Sequence, residues 1–234
     1  MKKSTVSKIL KETEIGYDLI ADKFSETRSK RFWADLEFIK DYAKAGDRIL
    51  DFGCGNGRLL QLFENKNIEY FGADVSQKLV DLAQKKHTGP KIHFQKMDSD
   101  QLSLPFADNF FNTAYSIAVF HHIPGTKVRK ELARELWRVI QPGGYVVLSV
   151  WNLWRSAFAE ELIRNWTKKA IGQSELDWND FYISFKDNYG RIFNRYHHAF
   201  KESELKKLFS DAGFAIERCE TVNGRNIVLV GKKK

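Results

Sequence analysis

Ile49-Leu50-Asp51-Phe52-Gly53-Cys54-Gly55-Asn56-Gly57 is the stretch that decides the fold. Arg48 to Phe52 reads as a short buried strand that runs straight into three glycines, and a helix follows over Leu59 to Glu64. A strand, a glycine turn and a helix in that order open a parallel α/β sheet, where ligands sit beyond the carboxyl ends of the strands. Glycine lets backbone approach a ligand closely and supplies positive φ where the turn requires it. The dinucleotide fingerprint Gly-x-Gly-x-x-Gly would need its third glycine at position 58 or 60. Arg58 and Leu60 stand there instead.

Downstream, strands and helices take turns. Glu69 to Asp74, Ile92 to Met97, Asn112 to Ile117 and Tyr145 to Trp151 read as strands. Gln77 to Lys86, with Ser76 placed to cap it, and Val128 to Ile140 read as helices, the second stopped by Pro142-Gly143-Gly144. This alternation implies a parallel sheet with helices on both faces. Upstream, Thr5 to Tyr42 looks helical, with one apolar stripe at Ile15, Leu19, Ile20 and Phe24 and another at Phe32, Leu36, Phe38, Ile39 and Tyr42. Asn152 to Phe200 breaks the rhythm. It is too long for a connection and too aromatic for a linker, so it reads as an inserted, partly helical cap over the strand ends. Lys201 to Ala212 is an amphipathic helix, and Phe214 to Thr221 and Asn226 to Val230 are the last strands, joined by an Asn223-Gly224 hairpin signal. The expected product is a Rossmann-like α/β fold: seven mostly parallel strands, one of them antiparallel. A single domain is expected over 1–234, with a helical cover (1–45), a cofactor-binding core (46–151), the cap (152–200) and a final helix and hairpin (201–234).

Composition narrows the class. Hydrophobic residues at 43% and charged residues at 29% describe a globular chain rather than a disordered one. No apolar run reaches the length of a membrane span, and no apolar core follows Met1-Lys2-Lys3, so the expected compartment is the cytoplasm. Two cysteines, Cys54 and Cys219, make no disulfide framework, and no Cys/His cluster has zinc spacing, so no metal is expected. The formal charge of +8 is diffuse and by itself supports nucleic-acid binding only weakly.

The acids at the strand tips point to the ligand. Asp51 precedes the glycines, where a cationic sulfonium with an amino group is served better than a pyrophosphate. Asp74, at the end of the second strand, is placed to accept hydrogen bonds from ribose hydroxyls. The third strand ends in Asp98-Ser99-Asp100, and an acid here can accept from an adenine amino group. Counting from the strand favours Asp98; counting back from Leu104-Pro105-Phe106 favours Asp100.

Leu50 to Gly57, Gly72 to Ser76, Leu104 to Phe111 and Arg138 to Gly144 together resemble class I S-adenosylmethionine-dependent methyltransferases. A narrower resemblance rests on Tyr17 to Arg28, Ser116-Ile117-Ala118-Val119-Phe120-His121-His122, Arg129, Val150-Trp151 and Arg195 to Leu205. This set is similar to the tRNA methyltransferases that esterify 5-carboxymethyluridine at the wobble position. The resemblance implies S-adenosyl-L-methionine as cofactor, tRNA as substrate and a small zinc-containing activator protein as partner. It implies cofactor contacts at Gly53, Cys54, Gly55, Val75, Ser99 and Ser116, and at Tyr17 and Arg28 in the amino-terminal helix that closes over the cofactor in similar enzymes.

Methyl transfer from a sulfonium is an in-line displacement, and positioning can supply about 7–11 kcal/mol of its acceleration. A carboxylate acceptor is already a nucleophile at neutral pH and needs only desolvation and an aligning cation. Two carboxylates need holding, and arginine's planar fork matches each. Arg28 is assigned to the methionine end of the cofactor, and Arg129 to the substrate. His121 and His122 follow the fourth strand, where the acceptor arrives, as hydrogen-bonding or basic groups. Trp151, Tyr196 and His197 are candidates to stack on a flipped uracil. No Asn/Asp-Pro-Pro-Tyr/Phe motif follows the fourth strand, which argues against methylation of an exocyclic amine, and neither cysteine is placed as a nucleophile for carbon methylation. The competing expectations are a methyltransferase for a small metabolite and a silent cofactor-binding partner.

Overall fold

The computed structural model describes residues 1–28 and 33–234. Its main sheet has seven strands: β1 (Arg48–Phe52), β2 (Glu69–Asp74), β3 (Ile92–Lys96), β4 (Phe111–Ile117), β5 (Ile140–Trp151), β8 (Phe214–Val222) and β9 (Asn226–Lys233). Their spatial order is β3-β2-β1-β4-β5-β9-β8. β9 runs antiparallel to both neighbours, and the other pairings are parallel. The chain therefore winds outward from β1 in one direction through β2 and β3, and returns to the other side at β4. That reversal opens a crevice at the carboxyl ends of β1 and β4.

Successive strand residues face opposite sides. Leu50, Ala114, Leu148 and Leu229 face one layer, where they meet Leu132 and Leu136 of α3 (Thr126–Val139) and Leu205 and Phe209 of α5 (Glu202–Asp211). Ile49, Tyr115, Val147 and Val228 face the other, against Leu36, Ile39, Leu59 and Phe63. Each such side chain contributes about 1.5–3 kcal/mol on full burial. α2 (Gln77–Lys86) starts at Ser76, whose Oγ accepts the Leu79 N–H at 3.2 Å, the cap that the sequence predicts.

Local structure differs from expectation in several places. The helix expected over Thr5–Tyr42 is instead α1 (Lys3–Thr27) followed by a 3-10 segment, Ala34–Tyr42. Phe32, placed in the second apolar stripe, lies outside the described residues. The helix expected after the glycines is a 3-10 segment, Arg58–Phe63, entered from Gly57 at φ 74. β5 begins at Ile140, so Pro142-Gly143-Gly144 lies inside the strand rather than before it, at an irregularity in the β4–β5 register. The turn between β8 and β9 is built as predicted, with Asn223 at φ 48 and Gly224 at φ 66.

The cap holds α4 (Ala159–Ala170) and, beyond expectation, an antiparallel hairpin of β6 (Asp180–Lys186) and β7 (Ile192–His198). Leu153, Leu162, Phe181 and Ala199 form its small core. β7 packs on α1 at Gly16, where an added Cβ would lie 2.1 Å from the Phe193 ring. His198 ties the hairpin to α5, contacting Asp180 at 2.6 Å and Glu204 at 2.9 Å.

Candidate active site

A cavity opens at the tips of β1, β2, β4 and β5, and α1 and β7 cover it. Ten of the expected cofactor residues line it: Tyr17, Arg28, Asp51, Gly53, Cys54, Gly55, Asp74, Val75, Asp98 and Ser99. The glycine turn fits closely beneath. Gly53 has φ +79, and a Cβ there would lie 2.3 Å from Val119 Cγ2, so a side chain is excluded both by conformation and by space.

The two acids at the strand tips are buried and close enough to repel. Asp74 accepts the Gly55 N–H at 2.8 Å and the Ser76 N–H at 2.9 Å, which ties the second strand tip to the glycine turn. Burial raises its carboxyl pKa; those backbone donors partly offset the rise, and the charge of Asp18 adds to it. Burial pushes the Asp51 carboxyl up to about 7, against the Tyr70 hydroxyl that donates to it at 2.5 Å and with the repulsion of Asp74. Buried carboxylates are relieved by a positive ligand. This donor set fits a group that brings a sulfonium, an ammonium and ribose hydroxyls together, and so fits S-adenosylmethionine.

Asp98 reaches the cavity but is largely exposed and pairs with Lys96 at 2.9 Å. Asp100 is exposed and is not among the lining residues. Ser99 is buried, and its hydroxyl donates to Glu14 of α1 at 2.7 Å. Ser116 departs from expectation. It is fully buried within β4, away from the cavity, because side chains alternate along the strand and its neighbour Ile117 takes the lining position. The Cys54 thiol lines the cavity, but burial drives its pKa well up, and the Cys219 thiol is pushed up to about 11 by burial and Glu202. Neither offers a useful thiolate fraction.

Near the tips of β4 and β5, His122, Trp151, Tyr17 and Arg195 meet at the cavity. His122 Nε2 lies 2.9 Å from the Tyr17 hydroxyl, and its Nδ1 lies 2.9 Å from the carbonyl oxygen of Tyr196. The carbonyl can only accept, so Nδ1 carries the proton and Nε2 receives the tyrosine hydroxyl. Burial, reinforced by Arg195, pushes the His122 pKa down to about 3, so the ring is neutral and orients Tyr17. Arg28 also lines the cavity, with its guanidinium 3.7 Å from the Phe24 ring centroid. Burial lowers its pKa to about 10, which leaves it cationic at neutral pH.

Four assignments to the acceptor end need correction. Arg129 is 2% exposed and does not line the cavity. Its guanidinium donates to the Ile123 carbonyl at 3.0 Å and to Thr126 at 3.3 Å, which makes it a buried tie rather than a substrate ligand. Tyr196 points to the opposite face of β7 from the cavity, again through strand alternation. His121 and His197 sit behind Trp151, stacked on it at 5.2 and 5.5 Å between centroids. The residue that sequence reasoning missed is Arg195. It is 6% exposed and lines the cavity; its Nε has no hydrogen-bond partner, and no described carboxylate forms an ion pair with it. The guanidinium lies 5.7 Å from the Trp151 ring centroid and 5.0 Å from that of Phe185. The available signal was the run Phe193, Arg195, His197, which alternates with the period of a strand.

Residues 50–148 match a family model described as a methyltransferase domain. The tRNA (carboxymethyluridine(34)-5-O)-methyltransferase of Schizosaccharomyces pombe is 32% identical over 214 residues, covering 86% of this chain and 87% of that protein. The chain belongs to this methyltransferase family. A protein of the same description from Arabidopsis thaliana is 37% identical over 135 residues, but the match covers 58% of this chain and only 31% of that protein. The chain thus spans under two thirds of that longer relative. Among solved structures, an S-adenosylmethionine-dependent methyltransferase of Methanosarcina mazei superposes with TM-score 0.70 at 23% identity, covering 87% of this chain and 99% of that one. A chain from the complex of the Haloferax volcanii Trm112 methyltransferase activator with a methyltransferase superposes with TM-score 0.58 at 18% identity, covering 84% and 88%. At these identities the structures speak for the fold. Membership of the family makes S-adenosylmethionine the cofactor of this enzyme.

Proposed function

We propose that this enzyme methylates the carboxylate of a 5-carboxymethyluridine at the wobble position of tRNA. The observation that carries the proposal is Arg195, a buried guanidinium that lines the cavity with its Nε unpartnered and with no carboxylate partner among the described residues. Burying a cation without an anion is costly, and a carboxylate ligand offsets that cost while matching the guanidinium's planar fork. Family membership supplies the nucleoside, since the relatives that match are described as acting on carboxymethyluridine 34.

The cofactor supplies an electrophilic methyl group, and the protein supplies position and charge. Asp74 and the Gly53–Gly55 turn hold the adenosyl end, with Ser99 beside Asp98 at the adenine side. Asp51 meets the ammonium, and Arg28 the cofactor's carboxylate. Arg195 aligns the acceptor carboxylate, and Trp151 gives its ring an apolar face. Tyr17, fixed by His122, borders the path between them. No general base is needed, which agrees with a His122 ring that burial keeps neutral and already hydrogen-bonded. A small activator of the Trm112 kind, zinc-containing in the resemblance, and a cytoplasmic location belong to the same reading. No described helix is long and apolar enough to cross a membrane.

The test is incubation with labelled cofactor and tRNA that carries 5-carboxymethyluridine, with and without an activator, followed by mass spectrometry of nucleosides. A methyl ester on that nucleoside, released by mild alkali, is expected. Label that appears only in a metabolite extract, and in no tRNA with the activator present, contradicts the proposal.

A further inference from the structure

The fold brings His121 and His122, from the segment after β4, together with His197 of β7. One ligand-capable atom of each lies within 4.8 Å of the others. The ring centroids of His122 lie 4.3 Å from His121 and 4.5 Å from His197, while His121 and His197 stack at 5.4 Å. Nε2 of His121 and Nε2 of His197 are both buried, and neither has a hydrogen-bond partner. An unsatisfied buried polar atom is expensive and asks for an occupant. We propose that these three histidines bind a divalent transition-metal ion of the Zn2+ class.

The hydrogen bonds around the cluster already resemble those around metal-binding imidazoles. A ligating histidine characteristically donates its other ring N–H to a carbonyl or carboxylate, which aims the lone pair at the ion. His197 Nδ1 lies 2.8 Å from the Arg195 carbonyl, and His122 Nδ1 lies 2.9 Å from that of Tyr196. Both rings therefore carry the proton on Nδ1 and a lone pair on Nε2. His121 bears the rearrangement. Its Nδ1 accepts the Trp151 N–H over a long 3.3 Å, so the Nε2 proton must shift to Nδ1 by a change of tautomer, and that weak bond is lost, when the ion enters. Zinc–imidazole bonds of about 2.0–2.1 Å set tetrahedral ligand atoms about 3.3 Å apart, so the rings must close by up to ~1.5 Å. The donor set is all nitrogen. That suits Zn2+, Co2+ or Ni2+ rather than Mg2+ or Ca2+, which need oxygen. The ion would compete for the His122 lone pair that now receives the Tyr17 hydroxyl, so its effect would extend to the substrate cavity.

The experiment uses the full chain, freed of metal by a chelator and titrated with Co2+ while visible ligand-field absorption is recorded. Saturation at one equivalent with intense tetrahedral bands is expected, with displacement by Zn2+ and no competition from Mg2+. His121→Gln and His197→Gln should each weaken Co2+ binding at least 100-fold, whereas Tyr17→Phe, which leaves every ligand in place, should leave it unchanged or tighter. Absence of one-equivalent binding, or wild-type affinity in both histidine variants, overturns the proposal. Nitrogen NMR of the wild-type imidazoles keeps it falsifiable if a variant does not fold. The Nε2 resonances of all three histidines should shift together on adding Zn2+, and unmoved resonances overturn it.

Discussion

The two walls of the cavity were built by different rules. The wall at the tips of β1 and β2 is made of glycines and acids, with Gly53 fixed by its positive φ and Asp74 by the N–H groups of Gly55 and Ser76. The facing wall, from Trp151 through β7, is made of side chains held by other side chains. Trp151 is stacked on His121 and His197, and Arg195 lies between Trp151 and Phe185. At Gly53 the first wall leaves no room for a side chain, and under the proposed function this wall holds the cofactor. Under the proposed function the second wall receives the acceptor, so its side chains should set acceptor choice.

Removing the cation of the second wall should have the largest effect. Arg195→Ala should lower kcat/KM for the tRNA acceptor at least 100-fold, about 2.7 kcal/mol, while cofactor affinity measured by calorimetry stays within threefold. Equal losses in both would place Arg195 on the cofactor and erase the division between walls. Next, Arg129→Ala should cost about 1–3 kcal/mol of stability by orphaning the Ile123 carbonyl, read from denaturant unfolding. Turnover per folded molecule should change only a few-fold; a collapse of turnover at unchanged stability would return Arg129 to the substrate.

On the first wall, Asp74→Ala should weaken cofactor binding about tenfold or more, since hydrogen bonds to a charged partner contribute about 1.5–3 kcal/mol. An unchanged dissociation constant would show that the glycine turn alone suffices. The smallest effect is one of pH. Burial raises the folded-state pKa of Asp51 to about 7 from its ordinary value of 3.8. For folding alone, stability is therefore lost as pH rises from about 4 to 7, because the unfolded chain ionises first. For cofactor binding the sign reverses, since the ammonium needs the ionised carboxylate. Affinity should fall by up to about tenfold per unit as pH drops below 7 and level off above 8, and Asp51→Asn should flatten that slope. A slope that survives in Asp51→Asn would assign it to another group.

The contrast also explains what the sequence made legible. Glycine turns and strand-tip acids are local signals: the backbone demands them at fixed spacing, and ten residues read from them or from the helix above reach the cavity. The sheet, its antiparallel β9 and the Asn223-Gly224 turn are legible for the same reason. The cap hairpin was not, because the inward positions of β7 include Arg195 and His197 beside Phe193, so its alternation lacks a hydrophobic signature. Arg129, Ser116 and Tyr196 were misplaced because residue type does not tell which face of a strand or helix a side chain takes. His121 and His122 are far in sequence from His197, so no ligand spacing announced their convergence.

The division between the walls can be observed directly in a crystal structure of the enzyme with S-adenosylhomocysteine. The ribose should rest on Asp74 and the amino-acid carboxylate on Arg28, with the Arg195 guanidinium free and facing the sulfur across an open acceptor site. A cofactor carboxylate paired with Arg195, or a ribose turned away from Asp74, would contradict the account.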